Sequence, residues 1–135
     1  MIIGIEHIGI AVKDKHKAQL LFNSLLNSQP YKTEIVDNEG VETIFYDLQN
    51  TKIELICPLT DDNHITKFIE KRGEQVHHIC FKVDDIYSMM ENLRERGFIF
   101  VNEKPKIGAD NKLINFLHPT STNGVLIELC QEILS

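Results

Sequence analysis

The sequence has no basic cluster, no apolar run long enough to cross a bilayer and no CxxC motif. Acidic residues outnumber basic ones by 20 to 14, and an acidic chain without a basic patch is a poor candidate for binding nucleic acid or an anionic membrane. The cysteines number three, which predicts reduced thiols and a cytoplasmic protein. The first residues lack a basic region and a small-residue cleavage site, so no signal peptide is predicted.

The length and composition are those of one globular domain. A chain of 135 residues with 42% hydrophobic and 25% charged residues can bury one sizeable core. We therefore predict a single domain over residues 1–135.

A similar order of elements is predicted twice along the chain. Alternating apolar residues indicate strands, and apolar residues three or four apart indicate helices. Asp14 is a candidate N-cap of the first helix, and Asp61 or Asp62 is a candidate for the second. Asp84 and Asp85 are predicted to begin the third helix. The predicted strands cover residues 3–12, 32–36, 42–48, 52–57, 76–83, 98–101, 112–118 and 124–130.

The sequence also repeats at the level of letters. The segment HIGIAVKD at 7–14 aligns with HICFKVDD at 78–85, and the tripeptide IEL at 53–55 recurs at 127–129. Each half is therefore predicted to be a β-α-β-β-β module, about 1–73 and 74–135. Neither module has enough core to stand alone, so we expect an α+β fold in which both build a curled mixed sheet around a cleft.

Strand alternation selects four polar side chains on the face opposite the predicted helices. These residues are His7, Glu54, His78 and Glu128. A lone strand histidine is usually structural, and a glutamate within IEL is often a surface residue. Here, however, the four form two pairs of equivalent positions, which a pseudo-twofold axis would bring to one point.

Burial of two carboxylates at one point is costly unless a positive charge offsets it. A divalent cation supplies that charge, and a mixed nitrogen and oxygen set suits Zn, Co, Ni, Mn or Fe. The sequence thus predicts one divalent metal ion held by the four residues. Alternation assigns His77 to the opposite face, with Ile79 and Phe81, so His78 is the predicted ligand and His77 a structural or supporting residue.

At these positions the chain resembles the vicinal oxygen chelate superfamily, and within it the methylmalonyl-CoA epimerase family. The matching segments are EHIGIAVKD, KIELICPL, VHHICFKVDDI and the terminal run KPKIGADNKLINFLHPTSTNGVLIELCQ. The resemblance implies a metal-dependent isomerase that interconverts methylmalonyl-CoA stereoisomers through an enolate stabilised by the metal. It places the family's metal ligands on His7, Glu54, His78 and Glu128, and it implies a homodimer.

The same resemblance suggests residues for catalysis and substrate binding. Glu128 is the first candidate base, Glu54 the second by symmetry, and Glu42 a third only if its strand is shifted or bulged. Ser121 and Lys106 are candidates for binding the substrate. Two departures from the family's pattern are Thr43, where some epimerases have a catalytic glutamate, and Thr120, where HPK is common.

Those departures leave other functions open. Glyoxalase I acts on a glutathione hemithioacetal with the same ligand set, and its bacterial type has glutamate at the position of Glu54. A metal-free module that binds a small molecule in the cleft is a third reading, although it has no need of four convergent ligands. A dioxygenase usually needs an open site of two histidines and one carboxylate, which the fourth ligand argues against.

Overall fold

The computed structural model describes residues 1–134, and within them the chain forms three α-helices and eight strands. The predicted α+β class and the repeated β-α-β-β-β order are confirmed, with α2 between the two repeats. The strands are β1 Ile2–Ala11, β2 Lys32–Val36, β3 Val41–Leu48, β4 Thr51–Pro58, β5 Val76–Val83, β6 Lys106–Gly108, β7 Lys112–Leu117 and β8 Ile127–Glu132. The helices are α1 Lys15–Leu26, α2 His64–Arg72 and α3 Ile86–Glu95.

The chain separates into two compact units. The first, here called the α1 unit, is Ile8–His77. The second, the α3 unit, combines Met1–His7 with the chain from His78 onwards. Strand β1 is therefore divided, and its first half belongs with the second half of the sequence.

In the α1 unit the strands run in the order β2-β3-β4-β1, with β3 antiparallel to both β2 and β4. Ile44, Tyr46 and Leu55 are fully buried on the sheet face that packs against α1. The predicted cap is confirmed, since the Asp14 side chain accepts a hydrogen bond from the amide of Lys17 at the start of α1.

The N-cap of helix α2 lies one residue after Asp62, the later of the two expected caps. Asn63 is the N-cap, and its Oδ1 accepts a 2.7 Å hydrogen bond from the amide of Ile65, so the assignment to Asp61 or Asp62 was wrong. The Asn63 Nδ2 also donates to the carbonyls of Glu39 and Gly40, at 2.9 Å each. An aspartate has no such donor, so the asparagine both caps α2 and ties it to the β2–β3 turn.

In the α3 unit the strands run in the order β1-β5-β8-β7-β6, with β8 parallel to β5 and antiparallel to β7. Helix α3 packs on one face of this sheet through Ile86, Met89, Met90 and Leu93. Its cap is Asp85, which accepts from the amides of Tyr87 and Ser88, as one of the two predicted aspartates.

The strand predicted at 98–101 is wrong. Only Phe100 pairs there, in a single bridge to Leu117, and β6 instead lies at 106–108, outside all of the predicted strands. The buried Asn115 side chain accepts from the amide of Asn102 and donates to its carbonyl, at 3.2 and 2.8 Å. Because a side chain takes the place of a backbone partner at this point, ladder pairing stops after one bridge.

The last strand begins three residues later than predicted, at Ile127 and not at Gly124. The amide of Val125 donates to the carbonyl of Thr122, and the amide of Gly124 donates to the carbonyl of Pro119. These bonds commit the backbone before Ile127 to a turn.

None of the helices within residues 1–134 is long and apolar enough to cross a membrane.

Candidate metal centre

The two faces of the α3-unit sheet carry different side chains, as alternation predicts. Phe81, Val83, Ile127 and Leu129 belong to the core beneath α3. The opposite face of β5 carries His78 and Cys80, and Cys80 stands opposite Glu128 in the β5–β8 ladder. Strand β1 adds His7 to the same cluster. The sheet thus gathers polar side chains on the face turned away from its helix.

His7, His78 and Glu128 converge on one point. The two histidine Nε2 atoms lie 2.9 Å apart, and the Glu128 Oε1 lies 3.1 Å from His7 Nε2 and 3.0 Å from His78 Nε2. All three residues are buried, with 4 to 7% of their surface exposed. The prediction that the two histidines approach each other is therefore confirmed.

The three residues offer ligand atoms that are close enough together to bind one ion. The separations of 2.9, 3.0 and 3.1 Å are those of hydrogen bonds between the side chains, and a bound ion would take the place of these bonds. The mixed nitrogen and oxygen donors suit a divalent first-row transition metal.

The charge of Glu128 is retained despite its burial. Desolvation by itself would raise the pKa of this carboxyl, but the hydrogen bonds from His7 and His78 outweigh that effect and hold the pKa well below its usual range. Glu128 is thus ionised at neutral pH, which is the form that a metal ion requires.

Sequence reasoning missed Glu6. Its Oε1 lies 3.3 Å from His7 Nδ1, and both side chains are buried. A carboxylate on the second ring nitrogen fixes the orientation of a histidine whose first nitrogen faces a metal. The available signal was the pair Glu-His at positions 6 and 7, but alternation assigns neighbours to opposite faces and so hid the contact.

Glu54 belongs to the α1 unit. It lies on β4 opposite Phe45 of β3, on the sheet face turned away from α1, and 6% of it is exposed. The burial of a carboxylate at this position agrees with the alternation of β4. Its role as a metal ligand stays a prediction.

His77 has a different environment from its neighbour His78. Its ring packs edge-on against Phe68 of α2, with the ring centroids 4.8 Å apart. It therefore has a packing role in the α1 unit, while His78 lies in the cluster with His7.

Glu42 lies on the α1 side of its sheet. Its carboxylate accepts a 2.8 Å hydrogen bond from Lys15 Nζ, and it stands opposite Cys57 in the β3–β4 ladder. The ladder pairs every residue of β3 in turn, so the shift that a catalytic Glu42 would need is not observed. Thr43 occupies the other face, where its hydroxyl donates to the carbonyl of Glu34.

The two predicted substrate-binding residues lie on surface elements of the α3 unit. The Ser121 hydroxyl donates to the carbonyl of His118 and accepts from the amide of Ile99, so it holds the turn at Pro119–Ser121. Lys106 opens β6 opposite Ile114. The roles of Ser121 and Lys106 in binding substrate stay predictions.

Comparison with known proteins places the chain in a family. The model of the glyoxalase/bleomycin resistance protein/dioxygenase superfamily matches residues 6–116, a stretch that contains His7, Glu54 and His78. The chain belongs to this superfamily. Glu128 lies beyond the matched stretch, and its assignment rests on the geometry above.

Members of the superfamily that resemble the chain include two curated epimerases. The ethylmalonyl-CoA/methylmalonyl-CoA epimerase of Cereibacter sphaeroides is 39% identical, with 97% of this chain and 99% of the relative covered. The mitochondrial methylmalonyl-CoA epimerase of Homo sapiens is 38% identical, over 94% of this chain and 73% of the relative.

Solved structures of epimerases share the fold. The methylmalonyl-CoA epimerase of Mycobacterium tuberculosis superposes with a TM-score of 0.94 at 32% identity, over 98% of this chain and 90% of that one. A methylmalonyl-CoA epimerase in complex with methylmalonyl-CoA and NH4+ superposes with a TM-score of 0.91 at 28% identity, over 98% and 96%.

Proposed function

We propose that this protein is a methylmalonyl-CoA epimerase that uses one divalent ion held by His7, Glu54, His78 and Glu128. The observation that carries the proposal is the triangle of ligand atoms from His7, His78 and Glu128 on a fold shared with epimerases. Glu54 is added as the fourth ligand because it is the repeat equivalent of Glu128. Co, Ni, Zn and Mn all suit this set of donors.

The chemistry requires removal of a weakly acidic proton between a thioester and a carboxylate. The bound ion would supply positive charge that stabilises the enolate as it forms. Glu128 is proposed to take the proton from one face of the carbon. Its Oε1 makes both histidine contacts, so Oε2 is assigned to the proton transfer.

Epimerisation needs a second group that returns a proton to the opposite face. Glu54 is the stronger candidate, since the carboxylate of Glu42 is bound by Lys15 on the α1 side of its sheet. In this scheme the α-carbon loses its proton to one glutamate and gains one from the other, while the carbon skeleton and the thioester stay intact.

The remaining substrate contacts are assigned from the resemblance. Ser121 is proposed to bind the substrate carboxylate, and Lys106 the phosphates of a CoA thioester. The working form is expected to be a homodimer, which light scattering would reveal by its mass.

The test is deuterium exchange at the α-carbon of methylmalonyl-CoA in D2O, followed by NMR, beside an assay for isomerisation of a glutathione hemithioacetal. We expect exchange and epimerisation that require a divalent ion, with no hemithioacetal activity. Turnover of the hemithioacetal alone would replace the proposal with glyoxalase I. That alternative is favoured by Thr43 and Thr120, the two residues that depart from the pattern of the epimerase family. A chain that binds either compound without turnover would be a binding module.

A further inference from the structure

A buried thiol adjoins the cluster of histidines and glutamate. Cys80 is fully buried on β5 and stands opposite Glu128 in the β5–β8 ladder. One ligand atom from each of His7, Cys80 and Glu128 lies within 4.8 Å of the others. The sulfur therefore faces the same small volume as the nitrogen and oxygen donors.

We propose that His7, Cys80 and Glu128 form a second coordination set that binds thiophilic cations such as Cd2+ and Zn2+. The inference rests on the proposed metal site in that it shares His7 and Glu128 with it. The two sets exclude each other, because the neutral imidazole of His7 has a single lone pair and can bind only one ion at a time. A thiophilic ion therefore displaces a harder ion such as Mn2+.

The donor chemistry distinguishes the two sets. Soft thiolate sulfur selects Zn2+ and similar ions, while carboxylate and imidazole without sulfur also serve harder ions. As the metal–sulfur bond forms, the thiol proton leaves to solvent, and no oxidant or reductant takes part.

The geometry requires only a small adjustment. Tetrahedral bonds of about 2.3 Å to sulfur and 2.0–2.1 Å to nitrogen place the ligand atoms roughly 3.6 Å apart. The separation of at most 4.8 Å must therefore shrink by at most about 1.2 Å. A rotation of roughly 35° about the Cα–Cβ bond of Cys80 would move the sulfur by about 1 Å, at the cost of leaving a rotamer minimum.

Two other cysteines provide controls. Cys130 is buried in a small apolar cluster with Cys80 and Ile114, against which Phe116 packs. Cys57 lies in the α1 unit, in the core beneath α1. Both are free thiols, as is Cys80, so they separate a site-specific effect from a general effect of cysteine.

The experiment titrates Cd2+ into the EDTA-treated full chain and follows the ultraviolet thiolate-to-cadmium charge-transfer band. The wild type should show one equivalent of this band, and Cys57→Ala and Cys130→Ala should keep it. Cys80→Ala should lose the band and bind Cd2+ at least about tenfold more weakly. Its affinity for Mn2+, measured by the EPR signal of the free ion, should stay close to that of the wild type.

Four outcomes would overturn the inference. A wild type that binds Mn2+ without a cadmium–thiolate band would remove it while leaving the proposed function intact, and so would a band that survives in Cys80→Ala. A wild type that binds neither ion would remove both. If Cys80→Ala fails to fold, the 113Cd NMR shift of the wild type decides, since a shift typical of nitrogen and oxygen ligands alone contradicts sulfur ligation.

Discussion

His78 and His77 are neighbours in sequence but differ in what they contact. His78 lies 2.9 Å from His7, whereas His77 packs on Phe68. We predict that His78→Ala loses the roughly one equivalent of metal expected per chain, because the substitution removes one of the proposed ligands. Elemental analysis of dialysed protein measures this.

The control for that prediction is His77→Ala, which should keep its metal. Loss of metal in His77→Ala with retention in His78→Ala would show that the assignment along β5 is off by one residue. Full retention in both His7→Ala and His78→Ala would refute the site.

Glu6 is predicted to act through His7. Glu6→Gln replaces the carboxylate on His7 Nδ1 with a neutral amide, so the imidazole becomes a less basic and less well oriented ligand. Metal affinity should fall by roughly 10- to 100-fold, measured by calorimetric titration of the metal-free protein. The matched control is Glu91→Gln on the exposed surface of α3, and equal affinities in the two variants would contradict the role of Glu6.

Substitution of the proposed base Glu128 is expected to slow catalysis far more than substitution of Glu42. Glu128→Gln, in preparations that keep metal, should slow α-proton exchange by roughly a hundred- to ten-thousand-fold, since an amide cannot take the proton. Glu42→Gln should exchange at close to the wild-type rate, because Glu42 is bound by Lys15 on the α1 side of its sheet. Near wild-type turnover in metal-loaded Glu128→Gln would show that the scheme of two glutamate bases is wrong.

At the scale of elements, α2 depends on a single asparagine. Asn63→Ala removes the N-cap oxygen, worth about 1 kcal/mol, and the two bonds from Nδ2 to the β2–β3 turn, worth about 0.5–1.5 kcal/mol each. In urea unfolding, Asn63→Ala should therefore lose more unfolding free energy, relative to the wild type, than Asn63→Asp does.

Asn63→Asp is the matched comparison. It keeps a capping oxygen and loses only the two Nδ2 bonds, so its stability should lie between those of Asn63→Ala and the wild type. Equal stability of Asn63→Asp and the wild type would mean that the link to the turn at Glu39 and Gly40 contributes nothing.

At the scale of the whole molecule, metal binding should couple to folding. A ligand at 100 times its dissociation constant stabilises the folded state by about 2.7 kcal/mol, if the unfolded chain does not bind it. The wild type should therefore gain on the order of 10 °C in melting temperature with saturating metal. Calorimetry of His78→Ala should show a much smaller gain, and an equal gain in both proteins would place the ion elsewhere.

Local patterns in the sequence determined much of the fold. The alternation of β5 and β8 predicted which side chains share a face, because side chains in any strand point alternately to opposite sides. The Asp14 cap and the α3 helix follow from neighbours in the chain. The repeat of HIGIAVKD and IEL predicted two like modules, and the four candidate ligands came from superimposing them.

Only the tertiary structure decided features that depend on residues distant in the chain. Asp61, Asp62 and Asn63 are all residue types that cap helices, so the local sequence does not distinguish them. Asn63 is the cap of α2 because its amide also donates to the carbonyl of Gly40. The 98–101 segment stops pairing because Asn115 binds Asn102. The 3 Å triangle of His7, His78 and Glu128 likewise exists only once β1, β5 and β8 are neighbours, since each strand alone carries a single buried polar side chain of that set.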